Sequence, residues 1–515
     1  MKQNPSRRTV LTGSVGGGIG MLAGCIGDIG GNEPEAPDGG DGDQSFVIGL
    51  HSDPADDQWA VYENVVPYFT QVFEPLVAPG DNLEPVPLLA SDWEVLYETT
   101  WAFDLRDGVM FHDGTELTAD HVVESFDAAF DHWEWLPGWI GVERDGVIAT
   151  DGSTVEFETT EPFPTFPGTI SHHYFGIEHV DADEPPVGTG PFQVEEVDPG
   201  KVQLVPNEDY RDGSPTPASL TFQHVADPTT RVLSLEDGEI DVAHDVPKEQ
   251  ANSVEGRSET EIESVLRNHA GLAAVNLYKE PTTDERLRQA LNWAVDQEQL
   301  VETVLDGFGE PARGPFSKQI PWAIHDELPT YGPDRDRARE LVAESSYDGE
   351  TLSILVDSDD ADDRTTAEVL QQWYDEIGVD VEIMQVDPAA WYDTFTDGEA
   401  HLTLVGFGSN SASADYLVRA MFHSMGSDNR QLYQADGTGV YNPGEEVDEL
   451  IESGYRAESV GEKREYYGEV QQLVVETGAI VPLYYDEYVL GHRSEVEGIE
   501  THTIDKFIDW TDMTR

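Results

Sequence analysis

The chain has 515 residues, of which 103 are acidic and 28 are basic, so its formal net charge at pH 7 is −75. This charge excludes nucleic acid and anionic membrane surfaces as partners, because both repel an acidic protein. Hydrophobic residues make up 38% of the chain and aromatic residues 10%, which excludes a disordered acidic tail and predicts a folded protein.

The basic residues are few, and only seven of the 28 are lysine. Acidic residues throughout the chain, few lysines and a large apolar core are typical of proteins from extreme halophiles. High salt screens the self-repulsion of such a chain, since the Debye length is ~3 Å at 1 M salt. We therefore expect a protein from a salt-rich habitat.

The N-terminal segment differs from the rest of the chain, because residues 1–24 contain three basic residues and no acidic one. Within it, "SRRTVL" (6–11) resembles a twin-arginine export signal, and "LAGC" (22–25) resembles a lipoprotein box. Its apolar stretch is shorter than the about 20 residues that span a bilayer. The sequence predicts export of the protein and lipidation of Cys25, the only cysteine, on the outer face of the cell membrane.

A stretch rich in Gly, Asp and Pro, residues 25–44, follows this cysteine and is typical of a flexible tether. Beyond it, short apolar strands alternate with amphipathic helices, which predicts an α/β protein. In the first half we expect strands at 45–50 and 153–159, and an alternating strand within 100–114 that reaches a hairpin turn at Asp107-Gly108. Helices are expected at 61–77 and at 118–130 with Thr118 as the N-cap.

The second half contains the most regular helical pattern, at residues 282–307. A capping box of Thr282 and Glu285 is expected to begin this helix, and Gly307 to end it. The other elements expected here are strands at 351–358, 379–386, 400–408 and 479–492, and helices at 364–378, 445–457 and 464–478.

Catalytic and metal-binding signatures are missing from the sequence, which has no HExxH, CxxC, GxxxxGK[ST] or GxSxG. The histidines of "SHHY" (171–174) would point apart in a strand, and "DSDDADD" (357–363) lacks the glycine of a calcium loop. We therefore expect no catalytic residue, no metal and no cofactor.

Two long stretches resemble a known family. "WAFDLRDGVMFHDGTELTADHVVESF" (101–126) is similar to the signature of the family 5 solute-binding proteins, and "DERLRQALNWAVDQEQLVETVLDGFGEPARGP" (284–315) is similar to the arginine-containing helix and following loop of that family. Three shorter stretches match its other landmarks in the same order: "GTGPF" (188–192), "VDELI" (447–451) and "IVPLYY" (480–485).

The resemblance implies a two-lobed, periplasmic-binding-protein-like (type II) α/β fold with an extra subdomain in lobe I. The implied divisions are a signal peptide at 1–24, the tether at 25–44, lobe I at 45–78, 188–277 and 483–515, the extra subdomain at 79–187, and lobe II at 278–482.

The resemblance also implies a function, because the family contains the dipeptide- and oligopeptide-binding proteins of ABC importers. We expect a monomeric, non-enzymatic protein that captures a peptide-like or other small organic solute by lobe closure. It would deliver this ligand to an ABC permease that works with an ATPase subunit, and a lipid on Cys25 would hold it at the membrane.

The ligand site is expected in "GFGSNSASADYL" (406–417), which matches a Gly-Trp-x-x-Asp pattern whose aspartate binds the α-ammonium of peptides in family members. Here Phe407 stands at the tryptophan position and Asn410 at the aspartate position. A neutral amide offers no opposite charge to an ammonium group, so we expect weaker binding of the α-ammonium of a peptide at this position. The alternative is a shifted alignment in which Asp415 takes the role of the aspartate.

Four further residues belong to the candidate ligand-binding set. Trp391 matches a tryptophan of the family's cleft, Arg364 is a candidate for binding an anionic group, and Ser409 and Tyr68 complete the set.

Three other functions are compatible with the sequence. An oligosaccharide-binding member of the same family would use aromatic stacking and amides. The other two come from different classes of protein: an exported glycoside hydrolase that uses two of the many carboxylates, and a surface sensor lipoprotein.

The net charge predicts that the fold depends on salt. Raising KCl from low to molar concentration should increase the midpoint of thermal unfolding by a large amount, because screening weakens the repulsion among 103 acidic residues. Scanning calorimetry over a KCl series measures this, and a midpoint that does not change would contradict the halophilic interpretation.

Overall fold

The computed structural model describes residues 44–55, 70–182, 186–358, 360–424, 426 and 444–515. The predicted signal peptide, the tether up to residue 43, and the site residues Cys25 and Tyr68 lie outside the described residues.

One half of the large sheet, which we call the lobe I sheet, is centred on strand Ser45–Leu50. This strand runs parallel to Ser219–His224 and Val242–Ala243. Its alternating residues Phe46 and Ile48 are buried, as the pattern of the strand predicts. The strands of the lobe I sheet are Ser45–Leu50, Phe192–Asp198, Lys201–Pro206, Ser219–His224, Val242–Ala243 and Thr260–Leu266.

The other half, which we call the lobe II sheet, is centred on strand Leu352–Asp357. It runs parallel to Val381–Val386 and Leu402–Phe407. Leu352 through Val356 are all buried, which is typical of a central parallel strand covered on both faces. The strands of the lobe II sheet are Ala270–Val275, Gly309–Pro311, Leu352–Asp357, Val381–Val386 and Leu402–Phe407.

A single long strand, Ile480–Arg493, belongs to both sheets. Its first residues pair antiparallel with Ala270–Val275 of the lobe II sheet, and its last residues pair antiparallel with Thr260–Leu266 of the lobe I sheet. The sheet therefore passes from one lobe to the other through this strand. We propose lobe boundaries near residues 267–269 and near Asp486, whereas the resemblance implied boundaries at 277 and 482.

The extra subdomain has its own antiparallel sheet of four strands, in the order Ala90–Tyr97, Thr100–Leu105, Thr154–Thr159 and Val142–Ala149. Helix Ala119–His132 covers this sheet and begins after Thr118, as predicted. Its core is aromatic, because Phe126 and Phe103 both contact Phe157, with ring centroids 5.0 and 5.4 Å away. The strands Val77–Pro79 and Pro85–Pro87 pair beside it.

Other helices cover the faces of the two large sheets. They are Pro228–Asp237, Lys248–Glu255, Glu285–Ala294, Gln297–Val304, Arg335–Glu344, Ala361–Glu376, Pro388–Thr396, Asp415–Phe422, Glu445–Tyr455 and Val460–Glu476. The short helices Leu136–Ile140 and Phe166–Thr169 pack in the core of the subdomain. None of the helices in the described part of the chain combines the length and the apolar character that a membrane crossing needs.

The single helix predicted at 282–307 is wrong, because the structure has two helices with extended backbone at Val295 between them. Asp284 caps the first helix by accepting a hydrogen bond from the backbone N–H of Arg286, and Asp296 caps the second. Thr282 does not form the predicted capping box; its hydroxyl donates to the carbonyl oxygen of Asn276 at 2.6 Å. The predicted apolar residues are buried in both helices, and the cap at Asp296 is the feature that divides them.

The helix predicted at 61–77 is also wrong in the part that the structure describes. Residues 70–77 form a turn, a bridge and the start of a strand. Here the carboxylate of Glu74 is buried and binds the guanidinium of Arg211 with two contacts of 2.7 Å, so tertiary interactions override the helical pattern.

Candidate ligand-binding site between the lobes

The parallel strands of each lobe end at an edge that faces the other lobe. In lobe I, the strand Val242–Ala243 is followed by His244 and then by Lys248. In lobe II, the strand Leu352–Asp357 is followed by Asp362, and the ammonium of Lys248 lies 3.3 Å from the carboxylate of Asp362. Ligands of α/β proteins bind outside the carboxyl ends of parallel strands, so the space between these edges is the candidate site.

The loop after strand Leu402–Phe407, which we call the cleft loop (residues 408–414), lies in this space. It is stabilised from within, because the hydroxyl of Ser409 donates to the carbonyl oxygen of Ser413 at 2.7 Å and accepts from the backbone N–H of Ser411 at 3.1 Å. Ser409 is fully buried, so its hydroxyl shapes the loop.

Three separate segments of lobe I and its subdomain bind the cleft loop. The side-chain amide of Asn268 donates to the carbonyl oxygen of Ser409 at 2.8 Å. The backbone N–H of Ala412 donates to the hydroxyl of Ser171 at 2.8 Å. The ammonium of Lys506 donates to Oδ1 of Asn410 at 2.9 Å. The cleft loop is therefore one place at which lobe II contacts lobe I, its C-terminal segment and its subdomain.

His269, at the crossing between the lobes, packs against the backbone at the start of the cleft loop. A Cβ added to Gly408 would lie 1.8 Å from Cδ2 of His269, so only glycine fits there. Burial and the nearby Arg267 guanidinium lower the pKa of His269 to about 4, which keeps its imidazole neutral at pH 7.

An ion-pair network lies beside this histidine. The guanidinium of Arg267 contacts the carboxylate of Asp486 at 3.0 Å and that of Asp505 at 2.9 Å. Burial would raise the pKa of Asp486, but the charges of Arg267 and Lys248 outweigh burial and the pKa is lowered. These carboxylates are therefore ionised and paired at neutral pH.

Asp415, the alternative ammonium-binding residue, has a different environment from Asn410. Its carboxylate accepts hydrogen bonds from the ammonium of Lys463 at 2.7 Å and from the hydroxyl of Tyr467 at 2.9 Å. Its side chain is 3% exposed and that of Lys463 is 8% exposed. The charge of Asp415 is thus already compensated inside lobe II, and this geometry favours a structural role.

The other predicted residues lie around the site. Phe407 is 6% exposed and packs against Phe316, with ring centroids 5.6 Å apart, so it is a core residue. Trp391 stacks on Phe395 at 5.3 Å, and its indole nitrogen is buried without a hydrogen-bond partner. The guanidinium of Arg364 donates to the carbonyl oxygen of Ser358, at the end of a central strand. Of the predicted set, the structure brings Asn410 and Ser409 directly to the contact between the lobes.

Several residues that the structure brings to the cleft loop are not predicted from the sequence, namely Ser171, Asn268, His269 and Lys506. They come from three distant segments, and only Ser171 stands in a stretch that the sequence singles out, "SHHY" (171–174). The "SHHY" stretch was the one available signal, but its histidines do not point apart in a strand as predicted: they belong to a tight turn, and the rings of His172 and His173 stack at 4.2 Å.

A cavity of about 370 Å³ adjoins the cleft loop, between the subdomain and lobe II. Its lining includes Trp93, Trp101 and Trp322 together with Asp415 and Lys463. Among the described residues, no group of three or more His, Cys, Asp or Glu side chains is arranged to hold a metal ion.

Two α/β lobes joined by a shared strand, with a cleft between the carboxyl ends of their strands, define a two-lobed binding protein of the type II periplasmic class. The sequence profile described as "Bacterial extracellular solute-binding proteins, family 5 Middle" matches residues 84–429. The chain belongs to this family, which confirms the resemblance and the fold that the sequence indicated.

Named relatives align with most of the chain at low sequence identity. The probable D,D-dipeptide-binding periplasmic protein DdpA of Escherichia coli is 24% identical over 425 residues, which cover 80% of this chain and 81% of the relative. The glutathione-binding protein GsiB of Salmonella typhimurium is 25% identical over 419 residues, covering 78% and 80%. The crystal structure of the ABC transporter substrate-binding protein CtaP from Listeria monocytogenes is 26% identical, with a TM-score of 0.79 over 91% of this chain and 98% of CtaP.

The environment of Asp415 leads to a prediction about stability. Asp415→Asn should lower the free energy of unfolding by about 3–5 kcal/mol, because it leaves the buried ammonium of Lys463 without its carboxylate. Denaturant unfolding in molar KCl measures this. The control Asp375→Asn, on an exposed helix face, should change it by no more than about 0.5 kcal/mol. An Asp415→Asn variant of normal stability that loses ligand binding would support the alternative alignment instead.

Proposed function

We propose that the protein is the extracytoplasmic substrate-binding component of an ABC importer, which captures a small solute by lobe closure and delivers it to a membrane permease. One observation carries this proposal: Asn268, Ser171 and Lys506, from separate segments outside lobe II, form hydrogen bonds with one loop of lobe II, the cleft loop. A ligand that binds better to the closed arrangement than to the open one shifts the protein toward closure. Family membership supports the same role.

We further propose that the protein binds its solute without turnover. The family is one of solute-binding proteins. The carboxylates at the lobe crossing, Asp486 and Asp505, both have lowered pKa values because their cationic partners outweigh the effect of burial. A glycosidase needs one carboxylic acid that stays protonated, and Asp486 and Asp505 do not meet this requirement. Burial and neighbouring carboxylates raise the pKa of Asp363 to about 7, so an assay for turnover is part of the test.

The proposed ligand is a peptide-like solute. Relatives that align with about four fifths of this chain are named for binding D,D-dipeptides and glutathione, which are small peptide-like molecules that carry carboxylates. The neutral Asn410 replaces the charged residue expected for an ammonium, so this protein binds the peptide amino end without the usual ion pair.

A thermal-shift screen of the full chain in molar KCl tests this function. Di- and tripeptides are compared with oligosaccharides, and chromatography of the mixtures detects any turnover. We expect peptides to raise the unfolding midpoint and to be recovered intact, because a ligand stabilises the state that it binds. Stabilisation by oligosaccharides alone would favour the oligosaccharide-binding alternative, and consumption of a substrate would favour an enzyme.

We propose that the protein works as a lipid-anchored monomer on the outer face of the cell membrane, after export through the twin-arginine pathway. The order of the N-terminal features supports this location, since the twin arginines precede an apolar stretch, "LAGC" and an acidic tether. Anchoring would keep the captured solute near the permease and its ATPase subunit.

Replacing the anchor residue tests this location. Cys25→Ser should move the protein from the membrane fraction to the soluble fraction, because serine cannot form the thioether that carries the lipid. Cell fractionation and immunoblotting measure this, and Ser14→Ala in the same segment serves as the control that stays membrane-bound. A Cys25→Ser variant retained on the membrane like the wild type would refute lipid anchoring.

A further inference from the structure

Lys506 carries an ammonium that is not committed to a carboxylate. Within the described residues, its polar contact is the hydrogen bond to Oδ1 of Asn410, and no acidic side chain lies within ion-pairing distance. The neighbouring Asp505 is already paired, because its carboxylate contacts Arg267 at 2.9 Å. Other lysines of this acidic chain do have close carboxylates, such as Lys463 with Asp415 and Lys248 with Asp362.

The contact between Lys506 and Asn410 leaves hydrogen-bond donors available at the contact of the lobes. An ammonium has three N–H donors, and one of them binds Oδ1 of Asn410. Because this oxygen is the acceptor, the side-chain NH₂ group of Asn410 remains a donor at the same place. Both residues are partly exposed, so a small group can reach them. Two adjacent donors, one of them charged, match the two oxygens of a carboxylate.

Two buried imidazoles, those of His172 and His173, lie close enough to Lys506 to be affected by its charge. Burial lowers the pKa of His173 to about 3, and repulsion by the Lys506 ammonium contributes to the decrease. The pKa of His172 is lowered in the same way, with a further contribution from His173. His173 is 7% exposed, and its Nδ1 atom has no hydrogen-bond partner. These rings are neutral at pH 7 and do not compete with Lys506 for an anion.

We infer that Lys506 and Asn410 form an anion subsite that binds the carboxylate of the solute. This inference rests on the proposed solute-binding function and specifies the ligand class. Because Lys506 belongs to lobe I and Asn410 to lobe II, a carboxylate bound to both side chains connects the two lobes. An acidic residue at position 410 would lie about 3 Å from the ammonium and occupy it. The neutral amide therefore keeps the charge of Lys506 for the ligand.

The test compares chemically blocked ligands and variants by thermal shift and isothermal titration calorimetry in molar KCl. Each peptide of the screen is used in its free, N-acetylated and C-amidated forms, and succinate and glutarate serve as carboxylates without a peptide bond. The variants are Lys506→Met and Asn410→Asp. The control is Lys279→Met, which changes another partly exposed lysine at the opposite end of strand Ala270–Val275.

We expect the free and N-acetylated forms to bind and the C-amidated forms to bind weakly. Lys506→Met and Asn410→Asp should lower the affinity for carboxylate ligands at least about tenfold, because each removes a charge-assisted hydrogen bond. Lys279→Met should bind like the wild type. If Lys506→Met does not fold, Asn410→Asp decides the question, because it retains the lysine and blocks it with a carboxylate.

Four results would overturn the subsite: equal binding of free and C-amidated peptides, loss of binding on N-acetylation alone, wild-type affinity in both variants, or no binding of any carboxylate-bearing probe. The proposed function is judged separately. Binding of neutral oligosaccharides without binding of carboxylates rejects the anion subsite but leaves the solute-binding role intact. Enzymatic consumption of a probe rejects the solute-binding role itself.

Discussion

The architecture depends on one strand, Ile480–Arg493, which pairs with both large sheets. Its hydrogen bonds pass from Ala270–Val275 to Thr260–Leu266, so the residues between these partners form the crossing between the lobes. Arg267 and Asp486 meet at this crossing with a contact of 3.0 Å. A movement of one lobe against the other must be absorbed here, because the rest of each sheet is locked by its own ladder. The position of the cleft loop against lobe I follows from this arrangement.

The net charge of −75 leaves few cations for the interior, and several of them replace water at buried carbonyl groups. Arg231 is 2% exposed and donates to the carbonyl oxygens of His244 at 2.7 Å, Val225 at 2.8 Å and Asp245 at 2.8 Å. It joins two loops that follow parallel strands of lobe I. The planar fork of arginine suits such contacts. Lys506 is different, because its ammonium donates to the side-chain oxygen of Asn410 and not to a backbone carbonyl group, and this difference underlies the proposed anion subsite.

Local patterns were sufficient to predict most elements of the fold. Strand Leu352–Asp357 is an uninterrupted apolar run, and the helix after Thr118 begins where its cap and apolar stripe indicate. The predictions failed where tertiary contacts compete with periodicity. At Glu74, a buried ion pair with Arg211 holds a segment of helical pattern in a non-helical form. At Asp296, a side-chain cap starts a second helix inside a continuous helical pattern.

The sequence by itself determined the family, the two-lobed α/β class and the neutral residue at position 410, because these follow from local spacing and residue type. Only the tertiary structure decided the partners of that residue. Lys506 lies 96 positions from Asn410, and Ser171 lies 241 positions from Ala412. Side chains so far apart in the chain meet only when the shared strand and the subdomain bring the lobes together. The periodicity of the sequence does not predict such long-range contacts, because hydrogen bonds between distant segments depend on the packing of the whole fold.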